Sequence, residues 1–410
     1  MKNIFHRVPR ALLSAIISIV FLLITFWVGN WRIAVGTEKA ALQHYEIFKQ
    51  WLFGSKPENS MVDSILQVDV HYDKQMVMEH DVNDEQLVHG KVSVTDRDKL
   101  FRFLQYLKET DNYRYILLDV FFDATVCQQS DSALFKLIAS MPRIVIPRPQ
   151  SSLPDTRLNA KAGIAQYGTT IWENDFVKYP YLTEEGKSVA LKMYEELTGN
   201  SIHTFGPLIF DKWRPMRSSV ILTYDLEEDE NVYDEHLFLG MSLVGDSIGS
   251  YEYQALLQNP EMAKDKYVLI GDFEDDIHTT FIGRMSGIII NYNAFLFLLK
   301  GHHRISIWMI IVMFISFWWL VHMTLHHTKY AGMFMWFGYP FYLLIVCICT
   351  YEIFHEVYDI LAATILFYAL QNIIECYRNK EVFGRWKNSI IQKTSKIWRK
   401  VASLKLSFWH

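Results

Sequence analysis

The residues best suited to chemistry in this chain are acids and histidines that follow apolar runs. Asp272, Glu274, Asp275 and Asp276, with His278, form the densest polar group, directly after the run KYVLI at Lys266–Ile270. Carboxylates and an imidazole at the end of a strand can hold a cation or a polar effector. The bland alternative is a solvated loop whose acids cap the next element. Asp69, His71 and Asp73 alternate along a second apolar run, which places them on one face, as a site or as a solvent-facing edge; outward polar alternation is ordinary and favours the edge. Asp73, Asp119 and Asp123 lie at or near strand ends. On parallel neighbours their carboxylates would meet on one rim, a costly like-charge cluster unless paired or bound to a cation. Nucleophile, phosphate-loop and zinc-protease signatures are missing: the chain has no P-loop, G-x-S-x-G or H-E-x-x-H. The four cysteines, Cys127, Cys347, Cys349 and Cys376, make no CxxC pair or zinc-spaced cluster. These patterns point to no enzyme, no cofactor and no metal centre.

The elements that would carry these residues alternate in type. SILQVDVHY (Ser64–Tyr72) reads as a strand and DRDKLFRFLQYL (Asp96–Leu107) as a helix with Leu100, Phe103, Leu104 and Leu107 on one face. YILLDVFF (Tyr115–Phe122) is a continuous apolar run, the mark of a buried strand. Asp131–Ser140 fits a helix and Arg143–Ile146 a strand closed by Pro147 and Pro149. Leu182–Leu197 reads as helical after Thr183, Ser219–Tyr224 as a strand, and Lys266–Ile270 as a strand ending at Gly271. The rhythm predicts an α/β domain with a mixed, partly parallel sheet covered by helices.

Long apolar blocks bracket that domain. Four runs approach the ~20 residues a spanning helix needs: Ala11–Val28, Ile305–Met323, Met333–Thr350 and Tyr358–Cys376. The first continues through Phe26, Trp27 and Val28 with no A-x-A site, which favours an uncleaved anchor over a signal peptide. The last has Asp359, Gln371, Asn372 and Glu375 near its ends, tolerable at an interface; an interfacial helix is the competing reading. Lys2, Arg7 and Arg10 precede the first run, and His326, His327 and Lys329 fill the second loop. Glu352 and Glu356 mark the third loop, and nine basic residues against Glu381 mark the tail. The positive-inside rule then puts both termini in the cytoplasm and the large domain outside. The expected organisation is a cytoplasmic N-terminus at 1–10, a span at 11–30, an extracytoplasmic domain at 31–303, spans at 304–324, 332–351 and 357–376, and a basic amphipathic tail at 377–410. Such a protein sits in a cytoplasmic (inner) membrane.

Three blocks, in order, resemble the second type of CHASE domain, a family of bacterial extracytoplasmic sensor domains. They are VDVHYD (Val68–Asp73) with YILLDVFFD and SDSALFKLIASMPRIVIP; KAGIAQYGTTIWENDFVKYPY (Lys161–Tyr181); and KYVLIGDFEDDIHTTFIGRMSGIIINYNAFLFLLKG (Lys266–Gly301). The last block resembles the family's strand ending in Gly, loop to an Asp and a Thr-Pro, then Gly and a helix ending before the membrane. The resemblance thus adds Thr280 to Asp276 and His278 as candidate ligand-binding residues beside Asp73, Asp119 and Asp123. Phe281 and Ser286 stand where the family has proline. Family members commonly continue into a kinase, cyclase or cyclic-dinucleotide synthase, whereas residues 377–410 are too few for a catalytic domain. The resemblance implies a sensor whose output comes from a membrane or cytoplasmic protein partner, with a small-molecule or protein ligand outside. The alternatives are a structural or accessory subunit of a membrane assembly and, with the least support from the sequence, a membrane enzyme that uses the acid-rich loop. The net charge of −5 gives no reason to expect nucleic acid. In the tail, Ile390, Thr394, Ile397, Val401, Leu404 and Phe408 step by four and three. That stripe suits the lipid bilayer surface or a short coiled-coil seam, and a homo-oligomer stays open.

Overall fold

Five apolar runs form a parallel sheet in a computed structural model that describes residues 10–29, 64–71, 73–81, 87–149, 153–165, 175–176, 178–183, 185–205, 208–222, 263–280, 284–326, 365–370 and 372–373. The strands are β1 (Ile65–Asp69), β4 (Tyr115–Leu118), β5 (Ile144–Pro147), β6 (Ala162–Gly163) and β15 (Tyr267–Gly271), in the order β1-β15-β4-β5-β6. All pairings are parallel, and β15 enters between β1 and β4 with Asp69 opposite Gly271 and Ile270 opposite Leu118. The chain therefore returns from far along its length to fill the slot between two earlier strands. β4, β5 and β15 are buried throughout, because helices cover both faces.

Side chains alternate between those faces. Ile116, Leu118, Val268 and Ile270 join the cluster of α2 (Arg97–Thr110) and α3 (Ser132–Ser140), with Phe103, Leu104 and Ile138. On the other face Tyr267 packs edge-to-ring against Phe295, and beside Tyr292, of α5 (Gly287–Leu299). α4 (Val189–Thr198) packs on α5. Helix α2 starts where Asp96 accepts from the N–H groups of Asp98 and Lys99 at 3.0 and 3.1 Å, and ends where Asp111 turns left-handed. Its buried face is the Leu100, Phe103, Leu104, Leu107 stripe that the spacing predicts. Helix α5 is apolar and buried on every side, its Asn291 accepting from Tyr179 Oη at 2.7 Å.

The helix-covered sheet, expected to be mixed, is thus parallel throughout, and antiparallel pairing is found in smaller sheets of this unit. They include the hairpin β2 (Lys74–His80) with β3 (Val88–Thr95), the pair β9 (Leu182–Thr183) and β10 (Gly186–Lys187), and β11 (Ile202–Phe205), β12 (Leu208–Asp211) and β13 (Arg214–Met216) in one sheet. β16 (Ile277–Thr280) pairs antiparallel with β17 (Arg284–Ser286) and parallel with β7 (Asp175–Phe176). β8 (Lys178–Pro180) pairs with β14 (Ser219–Ile221). The helix expected over Leu182–Leu197 starts later, at Val189. Gly186, at φ +139, bends the chain into the β9–β10 pair first, and Ser188 caps the helix by accepting from Leu191 N–H. The expected strand over Tyr115–Phe122 stops at Leu118, and that over Ser64–Tyr72 stops at Asp69.

A second unit contains most of α1 (Arg10–Gly29) and of α6 (Ile307–His326). Among the described residues one helix, Ile307–Leu325, is long and apolar enough to cross a membrane, and Ala11–Trp27 is a shorter apolar helix. Ser14 Oγ lies 3.4 Å from His322 Nδ1, and Phe367 packs edge-on against both Phe21 and Phe317. Ser18 and Thr25 donate to carbonyls one turn back in α1. The expected third span, most of the fourth and the amphipathic tail lie outside the described residues.

Candidate functional site

The carboxyl ends of β1, β15 and β4 carry Asp69, Asp272 and Asp119, so three strand ends deliver an acid to one rim. Asp69 is nearly sealed, and its Oδ1 accepts from the N–H groups of His71 at 2.9 Å and Phe273 at 3.3 Å. Burial, with the nearby Asp272 and Glu274 charges, pushes its pKa up against those two N–H groups. His71 stands in the turn after β1 among three further acids. Its Nδ1 is 3.1 Å from Asp272 Oδ1 and 3.4 Å from Asp275 Oδ2, and its Nε2 is 3.4 Å from Glu274 Oε2. Asp272 also accepts from the N–H groups of Glu274 and Asp275 at 3.1 and 2.8 Å, and from Lys74 Nζ at 2.7 Å. Burial works against ionisation of Asp272, but the Lys74 ammonium, the Asp275 N–H and His71 hold its carboxyl below the ordinary value.

His71, Asp272 and Asp275 bring one ligand atom each within 4.8 Å of one another. That spacing suits a single cation, which would have to compete with Lys74 for Asp272. Equally, the cluster offers a cationic or hydrogen-bonding effector several acceptors and one ammonium. Asp119 follows β4, its N–H donating to Ile270 O at 2.7 Å. Gly271 lets it approach: a Cβ there would meet Asp119 Cβ at 3.3 Å and Ile288 Cδ1 at 3.0 Å.

The other expected residues divide. Asp276 Oδ1 lies 2.8 Å from His278 Nε2, so those two pair with each other just beyond the rim cluster. Thr280 is buried on β16 opposite Phe176 of β7. Asp73 is fully buried and accepts from Lys99 Nζ at 2.8 Å. Asp123 caps a short turn by accepting from the Thr125 N–H and hydroxyl at 2.9 and 2.8 Å. Asp73 and Asp123 are thus engaged by Lys99 and Thr125. Lys74 is a rim residue that no sequence signal marked, whereas Asp69, which alternates with His71 and Asp73, closes the first buried strand at the rim.

A second polar cluster is sealed. Asp211, at the end of β12, accepts on Oδ2 from Arg304 Nε at 2.7 Å, His303 Nε2 at 2.9 Å and Tyr194 Oη at 3.0 Å. Asn200 and Arg304 both donate to the same Tyr194 oxygen, at 2.8 and 3.1 Å. Burial, aided by the Arg304 charge, pulls the His303 pKa down to about 4 against the attraction of Asp211. His303 is therefore neutral at pH 7 and donates from Nε2. Burial opposes ionisation of Asp211, yet its donors His303, Arg304 and Tyr194 keep its carboxyl below the ordinary value. This cluster holds Gly301–Arg304, the joint between α5 and α6, to the β12–β13 hairpin.

A family model, that of the CHASE2 domain, matches residues 40–325, from before β1 through nearly all of α6. No curated protein and no solved structure matches the chain.

Proposed function

The chain belongs to the CHASE2 domain family, extracytoplasmic sensor domains, and on that premise we propose that it is a membrane-anchored sensor that signals through a separate protein. The ligand is a small cation or cationic polar molecule, taken at the rim formed by Asp69, His71, Asp272 and Asp275, with Asp119 and the Asp276–His278 pair at its margins. The observation that carries this reading is the acid-rich loop's position at the carboxyl ends of β1, β15 and β4, the end of an α/β sheet where ligands bind. The same loop leads through β16, β17 and α5 into α6 without leaving that stretch of chain. A ligand that favours one arrangement of the loop thus acts on the segment that enters the membrane helix. Four spans with both termini cytoplasmic agree with the distribution of Lys and Arg. The four-and-three spacing of the apolar residues from Ile390 to Phe408 in the basic tail supports contact with the bilayer surface or with a partner.

Purified full-length protein in nanodiscs, melted with and without Mg²⁺, Ca²⁺, Mn²⁺ or spermidine, tests the reading. At least one of these raises the melting temperature of the wild type and leaves Asp272→Ala unmoved. A second reading, an accessory subunit of a membrane assembly, draws on the β2–β3 hairpin, which exposes Met76, Met78, Leu87 and Val88. A stoichiometric membrane partner that co-purifies with the chain, together with no shift from any of these cations, decides for that reading.

A further inference from the structure

The β12–β13 hairpin ends in the turn Lys212–Trp213–Arg214, all three side chains exposed. Trp213 is 76% exposed, an unusual fate for the largest apolar side chain. Lys212 takes φ +58, a left-handed conformation that makes the turn tight and costs a non-glycine residue energy. The Arg214 guanidinium lies 5.1 Å over the Trp213 ring, so a cation and an indole are presented together.

The direction of the neighbouring chain says what this turn faces. Arg304 bridges Met216 in antiparallel register, with Ile305 N–H donating to Pro215 O at 2.9 Å and Arg217 N–H donating to His303 O at 3.3 Å. Antiparallel register means that, as the chain proceeds from Arg304 through Ile305 and Ser306, it runs back along β13 toward Arg214 and Trp213. Two residues after Ile305 the apolar helix Ile307–His326 begins. The exposed indole and its two flanking cations therefore lie at the end of the hairpin toward which the chain runs before α6 begins. The Asp211–His303–Arg304 cluster fixes that geometry by tying both strands of the junction together.

We propose that the Lys212–Arg214 turn is a membrane-interface anchor. Trp213 seats at the headgroup level of the bilayer, where its amphipathic ring is favoured, and Lys212 and Arg214 meet lipid phosphates. The hairpin then gives the domain a contact with the bilayer of its own, besides the covalent link through Ile305 and Ser306. This rests on α6 being a span, as the function above requires.

The test reconstitutes the full chain, with its four cysteines replaced by serine, in phosphatidylethanolamine/phosphatidylglycerol vesicles. A polarity-sensitive fluorophore is placed on Trp213→Cys, Phe205→Cys or Ile315→Cys. Phe205 is 78% exposed but caps the opposite end of the same three-stranded sheet, and Ile315 is exposed within α6. Lipids spin-labelled near the headgroup should quench the probe on W213C by roughly half, as for a residue at the interface. The probe on F205C should stay unquenched, and that on I315C should be quenched by labels deeper in the chains. Quenching on I315C without quenching on W213C overturns the anchor and leaves the span standing. No quenching at either position removes the span and the anchor together. Equal quenching on W213C and F205C shows a domain lying flat, which also overturns an anchor confined to the turn. W213C that fails to fold is replaced by Lys212→Cys, read in the same way.

Discussion

His71 beside Asp272 and His303 beside Asp211 are the same two side chains at 3.1 and 2.9 Å, set in opposite surroundings within one domain. The first pair lies at the sheet rim, partly open to water, with Asp275, Glu274 and Lys74 around it. The second is sealed, and every donor around its carboxylate comes from elements that converge on the joint before α6. In the open pair excess negative charge is only partly balanced, so a ligand can add to it. In the sealed pair one carboxylate is met by three donors, so removing any part is costly. The contrast separates a place that can bind from a place that must hold.

The largest effect expected follows from the holding role. Asp211→Ala leaves Arg304, His303 and Tyr194 without their shared acceptor, and it should cost about 3–5 kcal/mol in thermal unfolding of the full chain, the range for breaking a buried pair. Asp272→Ala removes the acceptor of Lys74 and one of the three acids around His71 at a rim partly open to water, and it should cost about 1 kcal/mol. Equal losses in the two variants would break the comparison.

The next effect is read against pH. The folded His303 titrates near 4 and an unfolded histidine near 6.5, so between those values the unfolded chain binds a proton that the folded one refuses. Stability from this group is intact above pH 6.5 and falls as pH drops toward 4, by at most about 1.4 kcal/mol per pH unit. Asp211, with its carboxyl held low, loses its contribution below that, as pH falls from the unfolded value through its folded one. His303→Gln should flatten the slope between pH 6.5 and 4 by about one proton. Asp69 at the rim has the opposite sign. Its raised pKa means its contribution is present below the unfolded carboxylate value and is lost as pH rises through the folded one. Asp69→Asn, whose amide oxygen can still accept from the two N–H groups, should therefore be neutral or stabilising at pH 7, by up to about 1 kcal/mol. Slopes of like sign at both places would mean that the rim is no less satisfied than the joint.

The sequence made the holding frame far more legible than either polar cluster. The strands at Tyr115 and Lys266 and the Leu100–Leu107 stripe follow from apolar periodicity, which burial on one or two faces imposes directly. The entry of β15 between β1 and β4 has no local signature, since strand order is set by packing across a long stretch of chain. Without it, Asp73 looks like the acid that ends the first strand. With it, Asp69 and Asp272 are the neighbours, and Asp73 belongs to Lys99. The β9–β10 turn hid inside a helical pattern because Gly186 and Ser188 outrank the apolar spacing only once Tyr181 is buried against α5. The sealed cluster joins Tyr194, Asp211 and His303 across a separation in sequence that no motif spans.

The smallest change in stability carries the sharpest information about ligand chemistry. Lys74 is partly exposed, and its pair with Asp272 belongs to the class worth about 0–1 kcal/mol, so Lys74→Met should move the melting temperature little. It does, however, free Asp272 Oδ2 from an ammonium at 2.7 Å and makes the rim one charge more negative. A cation that competes with Lys74 for that oxygen then binds more tightly, and its stabilising shift grows in the variant. An effector that accepts a hydrogen bond from Lys74 loses its donor, and its shift disappears. The sign of the change in ligand-induced melting between wild type and Lys74→Met therefore fixes the charge of what the rim takes. A shift that is the same in both would place the ligand away from Asp272, and with it the functional difference between the two Asp–His pairs would fall.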